Sequence, residues 1–190
     1  MSYRIYSTRA FILSSAPSGE TSKTYLIYTE DFGLIRARAQ GVRSLASKLR
    51  YNLSDYGFVT VSLVRGKEFW RLTGAISAVG IAADGVKGIH PELNLARARI
   101  LNLIKRLVHG EEQNSVLFSS LETLFNPESI ALAFKEDILA LETLTLARVL
   151  KALGYIDADT LLGDQSLEHI KTKKREIIGA INKALQETQL

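Results

Sequence analysis

The sequence contains no cysteine, which excludes disulfides, a thiol nucleophile and cysteine-ligated zinc. No apolar run approaches the ~18–20 residues that a membrane-spanning helix needs. Ala10-Phe11-Ile12-Leu13 and Ile130–Phe134 are core-sized. The N-terminus carries no stretch that fits a secretory h-region, and neither an internal repeat nor a low-complexity segment occurs. What is present is 190 residues with 46% hydrophobic and 23% charged side chains, fractions that exclude a disordered or collagen-like chain. Such a length forms one core, or two of roughly 80–110 residues each. These features predict a globular cytoplasmic protein that needs no cofactor.

The net charge of +4 says less than its distribution. Residues 1–80 hold eleven Lys/Arg and five acids, a balance of +6, whereas the rest of the chain carries −2. Phe32 to Ser54 contains five cations and no acid. A single-sign stretch raises the local concentration of anions and suits a polyanionic partner. The competing reading is a solvated basic face without a ligand.

The hydrophobic period changes near residue 80, which predicts a boundary between residues 1–80 and 81–190. Before it, alternation with a period of two marks strands at Tyr3–Ser14, Thr24–Thr29, Leu34–Gln40, Phe58–Arg65 and Glu68–Ser77. Turns fall at Ala16-Pro17-Ser18-Gly19, Glu30-Asp31-Phe32-Gly33 and Arg65-Gly66-Lys67. Ser47–Tyr56 has room for a short helix capped by Ser47. Five strands with a helical insert after the third is the order of a Greek-key barrel of the oligonucleotide-binding (OB) kind. An SH3-like barrel fits the strand count almost as well. After residue 80 the period is helical, so the predicted class is α+β, a barrel followed by an all-helical part. Leu93, Ile100, Leu103, Ile104 and Leu107 mark a helix over Pro91–His109. A second helix covers Gln113–Phe125, and a third opens at Pro127 and runs to Leu153, ended by Gly154. The last helix covers Ser166–Gln186, with Ile170, Ile177, Ile178, Ile181 and Leu185 on its apolar side.

The third strand is the most informative segment. Alternation places Ile35, Ala37 and Ala39 on one face and Arg36, Arg38 and Gln40 on the other. With the apolar face inward, two guanidiniums stand outside about 7 Å apart, near the spacing of phosphates on an extended single strand. Arg43, Lys48 and Arg50 extend the track. Lys23, Lys67 and Trp70 complete the candidate DNA-binding set. Aromatics are interleaved through the same region, and a cationic groove with stacking rings holds single strands without sequence readout. Most of these rings are equally explained as core, and Trp70 is the ambiguous one.

Enzyme readings fail. Ser22-Lys23-Thr24 resembles the end of a phosphate-binding loop, but the glycines that motif requires fall at Pro17 and Ser22. His90, His109 and His169 lie far apart without metal-ligand partners, so no metal site is expected. Glu111-Glu112 and Asp157/Asp159 read as solvated charge or caps, and no nucleophile-plus-base arrangement is visible. Lys171, Lys173, Lys174 and Arg175 on the last helix are a solvated face or a secondary basic patch.

A family pattern runs through these same residues. Ala10-Phe11-Ile12-Leu13, Gly19-Glu20-Thr21, Thr29-Glu30 with Gly33, Ala39-Gln40-Gly41-Val42-Arg43, Ser47-Lys48-Leu49-Arg50 and Leu63-Val64-Arg65-Gly66-Lys67 resemble the N-terminal domain of the bacterial recombination mediator RecO. Leu117-Phe118-Ser119-Ser120-Leu121 and Leu150-Lys151-Ala152-Leu153-Gly154-Tyr155 are similar, more loosely, to RecO helices. The resemblance implies an OB domain followed by a helical domain. It further implies non-enzymatic binding of single- and double-stranded DNA in DNA repair through the RecF pathway. Annealing of complementary strands and loading of RecA onto filaments coated by single-strand-binding protein are implied as well. RecR is the implied partner, and the implied location is cytoplasmic, at the nucleoid. The chain is shorter than a typical member and lacks the four-cysteine zinc site that some members carry, so no zinc role is carried over. Two other readings fit the residues: an OB-type RNA-binding protein, and an adaptor whose basic faces bind acidic protein tails.

Overall fold

A computed structural model describes residues 4–78, 91–135, 137–157 and 167–187. Tyr3, residue 80, His90, Asp159 and Ser166, which figure in the expectations above, lie outside the described residues. Strands β1 (Ile5–Pro17), β2 (Lys23–Thr29), β3 (Gly33–Ala39), β4 (Phe58–Arg65) and β5 (Trp70–Ser77) close into a barrel in the order β1-β2-β3-β5-β4. Neighbours are antiparallel except β3 and β5, which run parallel. This is the OB order rather than the SH3-like alternative.

Closure depends on the length of β1. Its first half pairs with β4, from Ile5↔Val64 to Phe11↔Phe58, and its second half with β2, from Ala10↔Thr29 to Pro17↔Lys23. A bulge between Ile12 and Ser14 bends the strand between its two partners. Alternation in the sequence breaks at that bulge, so the expected end at Ser14 falls short by three residues. Inside, Ala10, Ile12, Tyr25, Ile27, Ile35, Ala37, Val61 and Trp70 share one core, as period-two alternation requires.

The β2–β3 turn is built by side chains. The buried Thr29 hydroxyl accepts the Phe32 N–H and donates to the Gly33 carbonyl, both at 3.0 Å. Gly33 has φ +62, and a Cβ there would overlap the Glu112 carbonyl. Both the conformation and the close approach exclude a larger residue. Beside the turn, Arg9 donates two hydrogen bonds to Glu30 at 2.6 and 2.8 Å. Those bonds hold the Glu30 carboxyl below its usual range.

The helix expected over Ser47–Tyr56 is a single 3-10 turn, Lys48–Tyr51, and the Ser47 side chain makes no cap bond. The segment is fastened instead by Asn52, whose side-chain amide donates to the Ala75 carbonyl of β5 at 2.9 Å. Leu53 is buried in the barrel core and Leu49 packs against it.

Five helices are described: α1 (Pro91–Leu107), α2 (Ser115–Glu122), α3 (Pro127–Lys135), α4 (Ile138–Ala152) and α5 (Leu167–Glu187). The expected single helix from Pro127 to Leu153 is two helices. Asp137 has extended backbone and its side chain accepts the Leu139 N–H at 2.8 Å, which opens α4 as a new helix. Asn126 opens α3 in the same way, accepting from Glu128 and Ser129. Gly154 takes φ +78 after α4, as expected of a left-handed helix end. The chain divides into two compact units. One joins the barrel with Arg97–Asn114, and the other joins Pro91–Ala96 with the chain from Ser115 onward. In the second unit α4 is buried on most sides and packs against α2, α3 and α5.

Candidate nucleic-acid interface

β3 presents the cations as its alternation predicts. Ile35, Ala37 and Ala39 are buried, Arg36 is exposed and Arg38 half-buried on the opposite face. The pairing of β2 with β3 sets Leu26 opposite Arg36 and Thr24 opposite Arg38 on that outer face. On the other side, the parallel pairing of β3 with β5 sets Arg71 directly beside Arg38. Arg71 is exposed. Sequence reasoning passed over it because 33 residues separate it from Arg38 and no local signal marks a β3–β5 crossover. Only the strand order brings the two together.

Past β3 the chain turns at Gly41, φ +67, which returns Val42 to the core and sends Arg43 outward. Arg38 donates to the Ser18 carbonyl at 3.3 Å and Arg43 to the Gly19 carbonyl at 3.1 Å. Two guanidiniums thus hold the β1–β2 loop against the end of β3 through neutral acceptors, which leave their charge uncompensated. The Arg38 Nε is buried without a hydrogen-bond partner. Lys48 and Arg50 follow on the 3-10 turn, both exposed. The Arg50 guanidinium lies 5.6 Å from the Tyr51 ring centroid.

Three candidates sit elsewhere. Lys23 has the strand parity of Tyr25 and Ile27, so it points toward the barrel end and away from the face of Arg36. Lys67 is exposed in the β4–β5 turn. Trp70 is 3% exposed. Its ring lies against Phe32 and Tyr6, with centroids at 4.8 and 5.6 Å, and its indole N–H donates to Glu111 at 3.3 Å. Neither face of this ring is open to a base.

That last contact belongs to a strap the sequence did not reveal. Between α1 and α2, Gly110 accepts the Leu34 N–H, Glu111 bonds Trp70 and pairs with Arg65 at 3.6 Å, and the Asn114 carbonyl accepts the Tyr28 hydroxyl. Burial pushes the Tyr28 hydroxyl up to about 12. Glu111 is therefore a partner of the barrel and not merely solvated charge. The strap also delays α2, which starts at Ser115 instead of Gln113.

The basic run on α5 is arranged differently. Lys173 pairs with Glu176 at 3.4 Å and Lys174 with Asp137 at 3.5 Å. Among the described residues, no group of three or more His, Asp or Glu side chains is placed to hold a metal ion. No described helix is long and apolar enough to cross a membrane.

Residues 1–78 match the family Recombination protein O N terminal. Over 70 residues the chain is 37% identical to the DNA repair protein RecO of Dehalococcoides mccartyi. That alignment covers 37% of this chain and 28% of the relative.

Proposed function

We propose, for a chain whose residues 1–78 match the RecO N-terminal family, that it is a non-enzymatic DNA-binding mediator of recombination and repair. It binds single- and double-stranded DNA through the outer barrel face, anneals complementary strands and assists RecA loading. RecR and single-strand-binding protein are its protein partners, and it works in the cytoplasm at the nucleoid. The barrel carries most of the affinity, and the α5 run contributes little.

One observation above all supports this reading. Arg36, Arg38 and Arg71 share one outer face, and the exposed Arg43, Lys48 and Arg50 follow in the chain after β3. Phosphate contacts from such a track position a strand without reading its sequence. They also leave base edges free, which annealing demands, since a strand held by its bases must release them before pairing. Trp70 is assigned to packing.

The test is a binding panel with single-stranded DNA, RNA of the same sequence and an acidic peptide, followed by a strand-annealing time course without nucleotide. Binding of DNA with faster annealing is expected, and slower annealing for Arg36→Ala/Arg38→Ala/Arg43→Ala. Preference for RNA or for the peptide overturns the assignment. Binding without faster annealing reduces the protein to a passive binder.

A further inference from the structure

Aromatic exposure on the barrel is uneven. Tyr25, Tyr28, Phe11 and Trp70 are buried, whereas Tyr51 is 66% and Phe69 43% exposed. Each ring adjoins the basic track, Tyr51 next to Arg50 on the 3-10 turn and Phe69 one residue before the β5 segment that pairs with β3. Phe69 immediately precedes Trp70, which pairs with Ala37 between Arg36 and Arg38. Tyr51 closes the 3-10 turn whose neighbour Asn52 is bonded to Ala75, in the far half of β5. From Trp70 to Ala75, across the bulge at Thr73, β5 keeps pace with four residues of β4, ~13 Å at ~3.3 Å per residue, about two of the ~7 Å phosphate spacings that match Arg36 and Arg38.

Both rings are held by built structure. Asn52 and the packed Leu49 and Leu53 fix the turn beneath Tyr51. For the other ring, the Phe69 carbonyl accepts the Gly66 N–H and closes the β4–β5 turn. The Arg50 guanidinium lies over the Tyr51 ring and brings a cation to where a stacked base's phosphate would run.

We infer that Tyr51 and Phe69 are base-stacking platforms adjoining the cation track, which make this face a site for single strands in preference to duplexes. The inference rests on the proposed DNA-binding function and adds the strand preference. An unpaired base has a free π-face to place on each ring, whereas bases stacked within a duplex do not. Only the bases on the rings are held, so the others stay available for a complementary strand.

The experiment measures Kd of the full chain for a labelled single strand and for the duplex of the same sequence, at one salt concentration. Tyr51→Ala and Phe69→Ala are each expected to weaken single-strand binding about 5- to 100-fold and to leave duplex binding within about twofold. Tyr51→Phe, which keeps the ring, should bind as wild type does. An unchanged single-strand-to-duplex ratio in either alanine variant overturns the two-ring stacking site. So does an equal loss on both substrates, which would mean that the ring only supports its neighbouring cation. Arg36→Glu/Arg38→Glu distinguishes the two claims: if it weakens both substrates while the alanine variants change nothing, stacking fails and the basic face stands. If it too is silent, the basic face fails and takes the stacking site with it.

Discussion

The cations of the barrel face and those of α5 differ in what lies next to them. On α5, Lys173 and Lys174 each have a carboxylate within 3.5 Å. On the barrel, Arg38 and Arg43 rest on backbone carbonyls and Arg50 on an aromatic ring, and Phe32–Ser54 supplies no acid at all. Carbonyl and ring contacts fix a guanidinium while leaving its net charge to the solvent side. A carboxylate contact offsets part of that charge for an approaching phosphate. Two runs that look equally basic in sequence thus have different capacities for a polyanion, and the difference lies in the neighbours.

Charge reversal breaks or upholds this contrast most strongly. Arg36→Glu/Arg38→Glu should weaken single-stranded DNA binding on the order of 100-fold at low salt, equally for all sequences. Lys173→Glu/Lys174→Glu should change it less than about threefold. Fluorescence anisotropy on both variants checks the pair, and a larger loss from α5 reverses the comparison.

A second test removes α5 altogether. A fragment of residues 1–114 keeps the strap and should retain the salt-dependent affinity. A fragment ending at residue 80 loses the partners of the Trp70 indole and the Tyr28 hydroxyl. Each lost hydrogen bond removes ~0.5–1.5 kcal/mol of net stabilisation, in a barrel whose ~80 residues form a marginal core. Its denaturant midpoint should fall well below that of the longer fragment. Equal stability of the two fragments would deny the strap its role.

The fold was largely legible because period two and period 3.6 are strong signals, and the alternation of β3 alone placed Ile35, Ala37 and Ala39 inside and Arg36 and Arg38 outside. What escaped was non-local. Arg71 joins the face only through the parallel β3–β5 pairing. Glu111 becomes a ligand of Trp70 only when the chain returns from α1 to the barrel. The split between α3 and α4 was local and still missed, because the apolar pattern continues across it while Asp137 acts as a cap. Trp70 sits inside for a related reason: two-residue alternation gave its parity but not which face was the core.

The smallest effect sharpens the comparison at one residue. Asp137→Asn keeps a capping side chain for α4 and removes the charge that faces Lys174. DNA affinity should change less than about twofold. Lys173 keeps its own carboxylate, so a tenfold gain would mean that freeing Lys174 alone turns α5 into a second DNA surface.

The central claim, that this barrel face binds a strand by neutralising its phosphates, is tested most directly by the salt dependence of single-strand affinity. With Arg36, Arg38, Arg43, Lys48, Arg50 and Arg71 each neutralising one phosphate, log K should fall against log[salt] with a slope of about −4. In Arg36→Glu/Arg38→Glu the slope should flatten by at least about 1.4. A wild-type slope near zero, or a slope that the double variant leaves unchanged, would contradict it.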